Sequence, residues 1–270
     1  LYRYSSNLWL HLLFSVLPLF AADYDLNPQQ SALLDSVVSS FKIEHCCGTS
    51  LKSCLNKSTC PIVSRLYDFS LWLVQRESDR TKILEQLEKR YEGFVTNEKH
   101  VIDTSFLAWA GSPSSPVRIV SYISSGCNMC KRIVGELYDS VTVGSLSGKA
   151  KLLAIPIGTG PGDLALLIAN SKGKFWELFQ KFRENKLRYS DEDVVKMAEE
   201  TGISGKEMRY LLKNQGFKNL LSAARNQSTA KEVKVTPTFF INEKRYSSYK
   251  DPQWVIDAAL FEIEKGSLNK

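Results

Sequence analysis

The chain has 270 residues, 43% hydrophobic and 24% charged, with 35 Lys and Arg against 29 Asp and Glu for a formal net charge of +6. This composition excludes fibrous and disordered classes and leaves room for one large domain or two ordinary ones. Basic residues are scattered among acidic ones, so the charge reads as a solvated surface and no nucleic-acid partner is expected.

Within residues 1–22, an almost uncharged run from Leu8 to Ala22 follows Arg3 and precedes Asp23. It is too short to span a bilayer comfortably and reads as a signal peptide, with an uncleaved membrane anchor and a buried first helix as competing readings. A periplasmic or otherwise extracytoplasmic location follows, membrane-anchored if the segment is retained. Residues 23–97 read as a small all-helical unit. Leu33, Leu34, Val37, Val38 and Phe41 recur at helical spacing; Pro61 opens a second helix bearing Ile62, Leu66, Phe69 and Leu73. A third helix runs from about Asp79 through Ile83, Leu84, Leu87 and Tyr91, with Gly93 as its stop. Between the first two helices fall Cys46, Cys47, Cys54 and Cys60. Their spacing is not that of two C-x-x-C zinc knuckles, and six cysteines fit an oxidising compartment. Structural disulfides are expected, Cys46 and Cys47 each pairing with Cys54 or Cys60 in a connectivity left open, and no metal or cofactor is expected.

Val101–Asp103 reads as a short edge strand, and residues 110–116, Ala-Gly-Ser-Pro-Ser-Ser-Pro, as a turn-rich connector. The apolar run Val117–Ile123 is a predicted buried strand. It leads into Ser124-Ser125-Gly126-Cys127-Asn128-Met129-Cys130, then a helix bearing Ile133, Val134, Leu137 and Tyr138. At the start of that helix, unpaired N–H groups favour a Cys127 thiolate, and Cys130 lies one turn further in, where it can resolve a mixed disulfide. Lys131 and Arg132 read as exposed helix residues. Lys149–Ile157 is a second buried strand, completing a β-α-β unit with a parallel pair. Gly162–Thr229 carries only helical signals: Phe175, Phe179 and Phe182 form a core stripe, Ser190–Asp193 and Ser204–Glu207 are capping-box-like starts, and Gly216 ends the segment with Met208, Leu211 and Leu212. Strand signals return over Val233–Tyr246, with a hairpin turn at Asn242–Glu243, and a last helix starts near Pro252.

Other chemistries fit worse. Lys131 follows Cys130 where a haem attachment motif needs His, and His11, His45 and His100 lie away from the motif stretches. Gly158-Thr159-Gly160-Pro161-Gly162 lacks the Lys-Ser/Thr ending of a phosphate loop.

A C-x-x-C after a strand and opening a helix, answered by Val235-Thr236-Pro237-Thr238-Phe239-Phe240-Ile241-Asn242, resembles the thioredoxin superfamily and specifically DsbA-type periplasmic thiol-disulfide oxidoreductases. The resemblance covers about residues 98–264, including Gly173–Leu178 and the Gly111–Val117 lead-in. It implies an α/β thioredoxin fold over 98–270, with a helical insertion at 162–229, preceded by the helical unit. It further implies Cys127 as nucleophile, Cys130 as the buried resolving cysteine, and Thr236–Pro237 as a cis-proline loop that pairs with extended substrate. Asn128 and Met129 stand where the family's strong oxidase has Pro-His; they are the redox-tuning positions and leave the direction of exchange open. No carboxylate lies between Val117 and Gly126 to act as a buried acid. The implied partners are protein substrates with thiols or disulfides and a membrane redox partner that resets the site. The N-terminal unit, through its cysteines, Arg65 and Glu88–Val95, also faintly resembles the helical thiol proteins of cytochrome c maturation. A reductase in that pathway is therefore one alternative, and a non-catalytic peptide-binding or chaperone-like module is another.

Overall fold

The computed structural model describes residues 25–184, 188–247 and 251–268; the predicted leader, residues 1–22, lies outside them. Asn27 opens α1 (Pro28–Ser40) with a capping box: its side chain accepts from the Gln30 N–H at 2.9 Å while the Gln30 side chain accepts from the Asn27 N–H at 3.0 Å. The chain then turns through a two-rung antiparallel ribbon, β1 (Lys42–Ile43) with β2 (Thr49–Ser50), into the short α2 (Leu51–Leu55). Disulfides here join Cys46 to Cys60 and Cys47 to Cys54. Pro61 occupies the first position of α3 (Pro61–Val74), and Asp79 caps α4 (Arg80–Val95) by accepting from the Thr81 and Lys82 N–H groups.

Gly93 does not stop α4, which continues to Val95. A Cβ at Gly93 would lie 2.9 Å from Tyr246 Cδ1, so the glycine sits where the helix packs tightly on a tyrosine ring. One turn earlier Arg90, 2% exposed, donates to the Asp257 carboxylate and, at 3.3 Å, to the Trp254 carbonyl. Its guanidinium is ringed by Phe69, Phe94 and Trp254 at 5.0, 5.0 and 4.8 Å. Burial pushes this guanidinium down to about 10, still charged at neutral pH. Arg65 reaches Asp257 at 3.0 Å and Glu264 at 2.7 Å. The helical unit is thus fastened to the end of the chain, with apolar residues of both parts in one continuous core.

Val101–Asp103 forms no strand: Val101 is 72% exposed, and the Asp103 N–H donates to Gln227 Oε1 at 2.6 Å. The edge contact falls instead at Ala110, which exchanges backbone hydrogen bonds of 2.8 and 3.0 Å with Leu152. β3 (Val117–Ile123) follows, then α5 (Asn128–Thr142) and β4 (Ala150–Pro156). β3 and β4 are parallel over seven rungs from Val117↔Ala150 to Ile123↔Pro156, as the β-α-β pattern predicts. Both strands are buried almost throughout, which is why they read as continuous apolar runs.

Five helices follow: α6 (Pro161–Ser171), α7 (Phe175–Glu184), α8 (Asp191–Glu200), α9 (Gly205–Leu211) and α10 (Gln215–Ala230). Phe175, Phe179 and Phe182 are at most 2% exposed, each contributing about 1.5–3 kcal/mol by burial. The Ser190–Asp193 capping box forms, whereas Ser204 makes no side-chain cap. Gly216 lies inside the first turn of α10, started by Asn214, and is not the end of the preceding segment. β5 (Thr238–Ile241) then pairs antiparallel with β3, and β6 (Lys244–Tyr246) with β5, through a two-residue turn in which Asn242 and Glu243 adopt φ of 48° and 70°. The sheet order is β4-β3-β5-β6, and α11 (Pro252–Leu268) packs against it. An α/β sheet with helices inserted between its second and third strands is the arrangement the sequence predicts. No helix among the described residues is long and apolar enough to cross a membrane.

Candidate active site

The central strand of the four-stranded sheet ends at Ile123, beside Thr238 of β5 through the Tyr122↔Thr238 rung. That register brings the segment after β3 and the segment before β5 to one end of the sheet. Cys127 is the N-cap of α5: its Sγ accepts the Cys130 N–H at 3.1 Å, taking one of the donors a helix start leaves unpaired. Thr236–Pro237 is a cis peptide, and the Cys127 thiol lies 3.4 Å from the Thr236 carbonyl, to which it donates when protonated. Cys127, Cys130 and Thr236–Pro237 are therefore assembled in one place from segments more than a hundred residues apart.

The two thiols sit in opposite surroundings. Cys127 is half-buried and its thiol is pulled down to about 6, first by the Cys130 side chain donating to it, then by the Cys130 N–H, the Thr236 hydroxyl and the Met129 N–H. Cys130 is fully buried, and burial followed by the neighbouring Cys127 drives its thiol far upward. At neutral pH the pair is one thiolate and one thiol, with the thiol as hydrogen-bond donor. Asn128 and Met129, between them, are exposed, Met129 by 42%; Val235, before the cis peptide, is 58% exposed. The Cys127 sulfur thus opens beside the exposed Asn128, Met129 and Val235, with Arg188 lining the same cleft.

Lys131 departs from its expected exposure. It is 5% exposed, with Nζ 4.7 Å from the Tyr189 ring centroid, and burial lowers its ammonium. Arg132, by contrast, is exposed as expected. A cleft of about 480 Å³ adjoins Cys127, walled by Gly126, Gly160, Tyr189 and Thr236.

The structure also supplies a buried acid that the sequence reading could not name. Asp163, in the first turn of α6, is 1% exposed; its Oδ1 accepts the Ser125 N–H and the Gly158 N–H, both at 3.0 Å, and its Oδ2 accepts the Ser125 hydroxyl at 2.7 Å. Burial raises its carboxyl, against the pull of those hydrogen bonds and of Arg225. The only hint in the sequence was the unexplained Gly158–Gly162 turn just ahead of it. Among the described residues no cluster of His, Cys, Asp and Glu could hold a metal ion.

Comparison with known proteins bears on the fold. The thioredoxin family profile matches residues 105–258, and no curated protein matches the sequence. BdbD from Bacillus subtilis, in its oxidised form, superposes with a TM-score of 0.55 at 16% identity, over 62% of this chain and 97% of its own. The catalytic domain of Proteus mirabilis ScsC gives 0.52 at 14% identity over 67% and 98%. A thioredoxin-like oxidoreductase from Silicibacter pomeroyi DSS-3 gives 0.50 at 19% over 59% and 94%. The profile begins after the disulfide-bearing helices, so those lie outside what the family defines. With its matched span covering more than half of the chain, and with the sheet order and inserted helices described above, the protein belongs to the thioredoxin family and has its fold with a helical insertion.

Proposed function

We propose that the protein is a thiol-disulfide oxidoreductase acting on protein substrates outside the cytoplasm. One observation carries the reading: a thiolate-prone cysteine at a helix N-terminus, 3.4 Å from the carbonyl before a cis proline, beside an open cleft and with a second thiol buried one turn below. In the exchange, the Cys127 thiolate attacks one sulfur of a substrate disulfide. The substrate S–S bond breaks as the Cys127–substrate bond forms, and the other substrate sulfur leaves as a thiolate. Cys130 then gives up its proton to that thiolate and attacks Cys127 Sγ; the mixed disulfide breaks and the second substrate sulfur leaves. Two electrons have passed from the enzyme dithiol to the substrate, and the reverse sequence oxidises a substrate dithiol.

Thiolate stabilisation acts only on the reduced enzyme, so it favours the enzyme as electron acceptor. We read the working direction as oxidation of substrate dithiols, with a membrane redox partner removing the two electrons afterwards. Asn128 and Met129 add no charge beside Cys127, so tuning by them is through backbone donors and exposed apolar surface. The exposed Val235 and the cleft that Thr236 lines support pairing of the segment before the cis proline with an extended substrate. The two bridges of the helical unit support an oxidising, extracytoplasmic location. The test is refolding of a reduced disulfide protein with a glutathione buffer: Cys127→Ser abolishes the acceleration, whereas Cys130→Ala accumulates mixed disulfides visible on non-reducing gels. Equal activity in both variants overturns the assigned roles.

A further inference from the structure

The loop that presents Cys127, Ser124-Ser125-Gly126, is not anchored by α5 alone. The Cys127 N–H donates to the Ser124 carbonyl at 3.0 Å, closing a turn, and that turn is tied at Ser125 to Asp163. Asp163 in turn holds Gly158, the residue where the chain leaves β4. One carboxylate therefore joins the approach to the nucleophile, the exit of the neighbouring strand and the first turn of α6. The fit leaves no slack: a Cβ at Gly158 would lie 2.3 Å from Asp163 Oδ2 and 2.4 Å from Ser124 Oγ, and one at Gly162 would lie 2.6 Å from Ser125 Oγ. Asp163 makes no hydrogen bond to either active-site thiol among those its side chain forms, so it acts through the loop and not on the sulfur.

We propose that Asp163 is a positioning residue for Cys127, working by hydrogen-bond geometry and not by its negative charge. The distinction follows from which oxygen accepts what. Both backbone N–H groups go to Oδ1, and only the Ser125 hydroxyl, which can turn round and accept, goes to Oδ2. An asparagine placed with its oxygen at Oδ1 keeps both N–H bonds, and its NH₂ group donates to Ser125 Oγ. A neutral side chain can therefore complete the same latch, whereas alanine leaves the buried Ser125 N–H and the part-buried Gly158 N–H without their partner. The role of the latch deepens the proposed exchange function and rests on it for its purpose.

The experiment reads Cys127 directly: the rate of alkylation by iodoacetamide across pH 4–9 in the folded, full-length protein. Asp163→Ala is expected to slow alkylation at pH 7 by about tenfold or more and to move its midpoint upward, since a small displacement of a reacting atom is costly. Asp163→Asn is expected to recover most of that loss. Should Asp163→Ala fail to fold, Ser125→Ala, which removes one of the three bonds, is expected to slow the reaction by about twofold to fivefold. Asparagine behaving as badly as alanine would overturn the geometric role in favour of charge. Alanine and Ser125→Ala both matching the wild type would overturn positioning altogether. Alkylation needs no substrate disulfide, so a wild type that alkylates readily yet accelerates no refolding would fault the exchange function and leave the latch standing.

Discussion

Replacing Cys130 separates the two sources of the Cys127 thiolate. The largest contribution is the Cys130 side chain, with the Cys130 N–H behind it. Alanine removes the first and keeps the second, because the backbone donor of 3.1 Å belongs to the helix and not to the side chain. A hydrogen bond to a charged acceptor is worth about 1.5–3 kcal/mol, or about one to two pKa units. Cys130→Ala should therefore raise Cys127 from about 6 to about 7–8. At pH 7 the thiolate fraction would fall from about nine-tenths to between about half and a tenth. Cys130→Ser retains an O–H donor and should stay near the wild type. Thiolate absorbance at 240 nm, followed against pH, reads the value, and Cys130 does not interfere in the wild type because its own thiol titrates far higher. A midpoint near 6 in the alanine variant would refute the reasoning and assign the thiolate to the helix N-terminus.

Three further outcomes can be measured. Cys127 is an acid whose folded value, about 6, lies below its ordinary 9.0, so its stabilisation is complete above about pH 9 and is lost as pH falls through 6. The reduced wild type should accordingly gain stability over Cys127→Ser between pH 6 and 9 in urea titrations. The ceiling is about 4 kcal/mol, cut to about 2 kcal/mol by solvent screening of a half-buried group, and a flat difference would contradict it. Asp257→Ala strands the buried Arg90 and should cost about 3–5 kcal/mol in urea unfolding, with a loss below about 1 kcal/mol counting against a desolvated pair. Removing the Cys46–Cys60 bridge, which closes a sequence separation of 14, should cost about 3 kcal/mol through the unfolded chain; an unchanged midpoint would mean that packing and the Cys47–Cys54 bridge already hold the helices without it.

Most of the fold was legible because its elements announce themselves locally. The runs at Val117 and Lys149 are continuous where both faces are buried, the phenylalanine stripe of α7 repeats at helical spacing, and Asn242–Glu243 is a two-residue hairpin turn. The thiols and the Thr236–Pro237 loop were also visible, since both are carried by short motifs. What escaped was decided by distant partners. Gly93 reads as a stop until Tyr246 occupies the space beside it, and Gly216 does so until Asn214 starts a new helix there. Lys131 is hidden by Tyr189, more than fifty residues away in the chain, and the β1–β2 ribbon is too short to have a period. Asp163 escaped for the same reason: nothing near it in sequence indicates that Ser125 will be its partner.

The arginine between the helical unit and the last helix bears on how the molecule can come apart. A part that detaches must give its apolar face back to water, and here that face carries Phe69 and Phe94 on one side and Trp254 and Phe261 on the other, around the Arg90–Asp257 pair. The disulfide-bearing helices share one continuous apolar core with the sheet and the last helix, so trimming the chain back to the family's own limits would uncover apolar surface that those helices now bury.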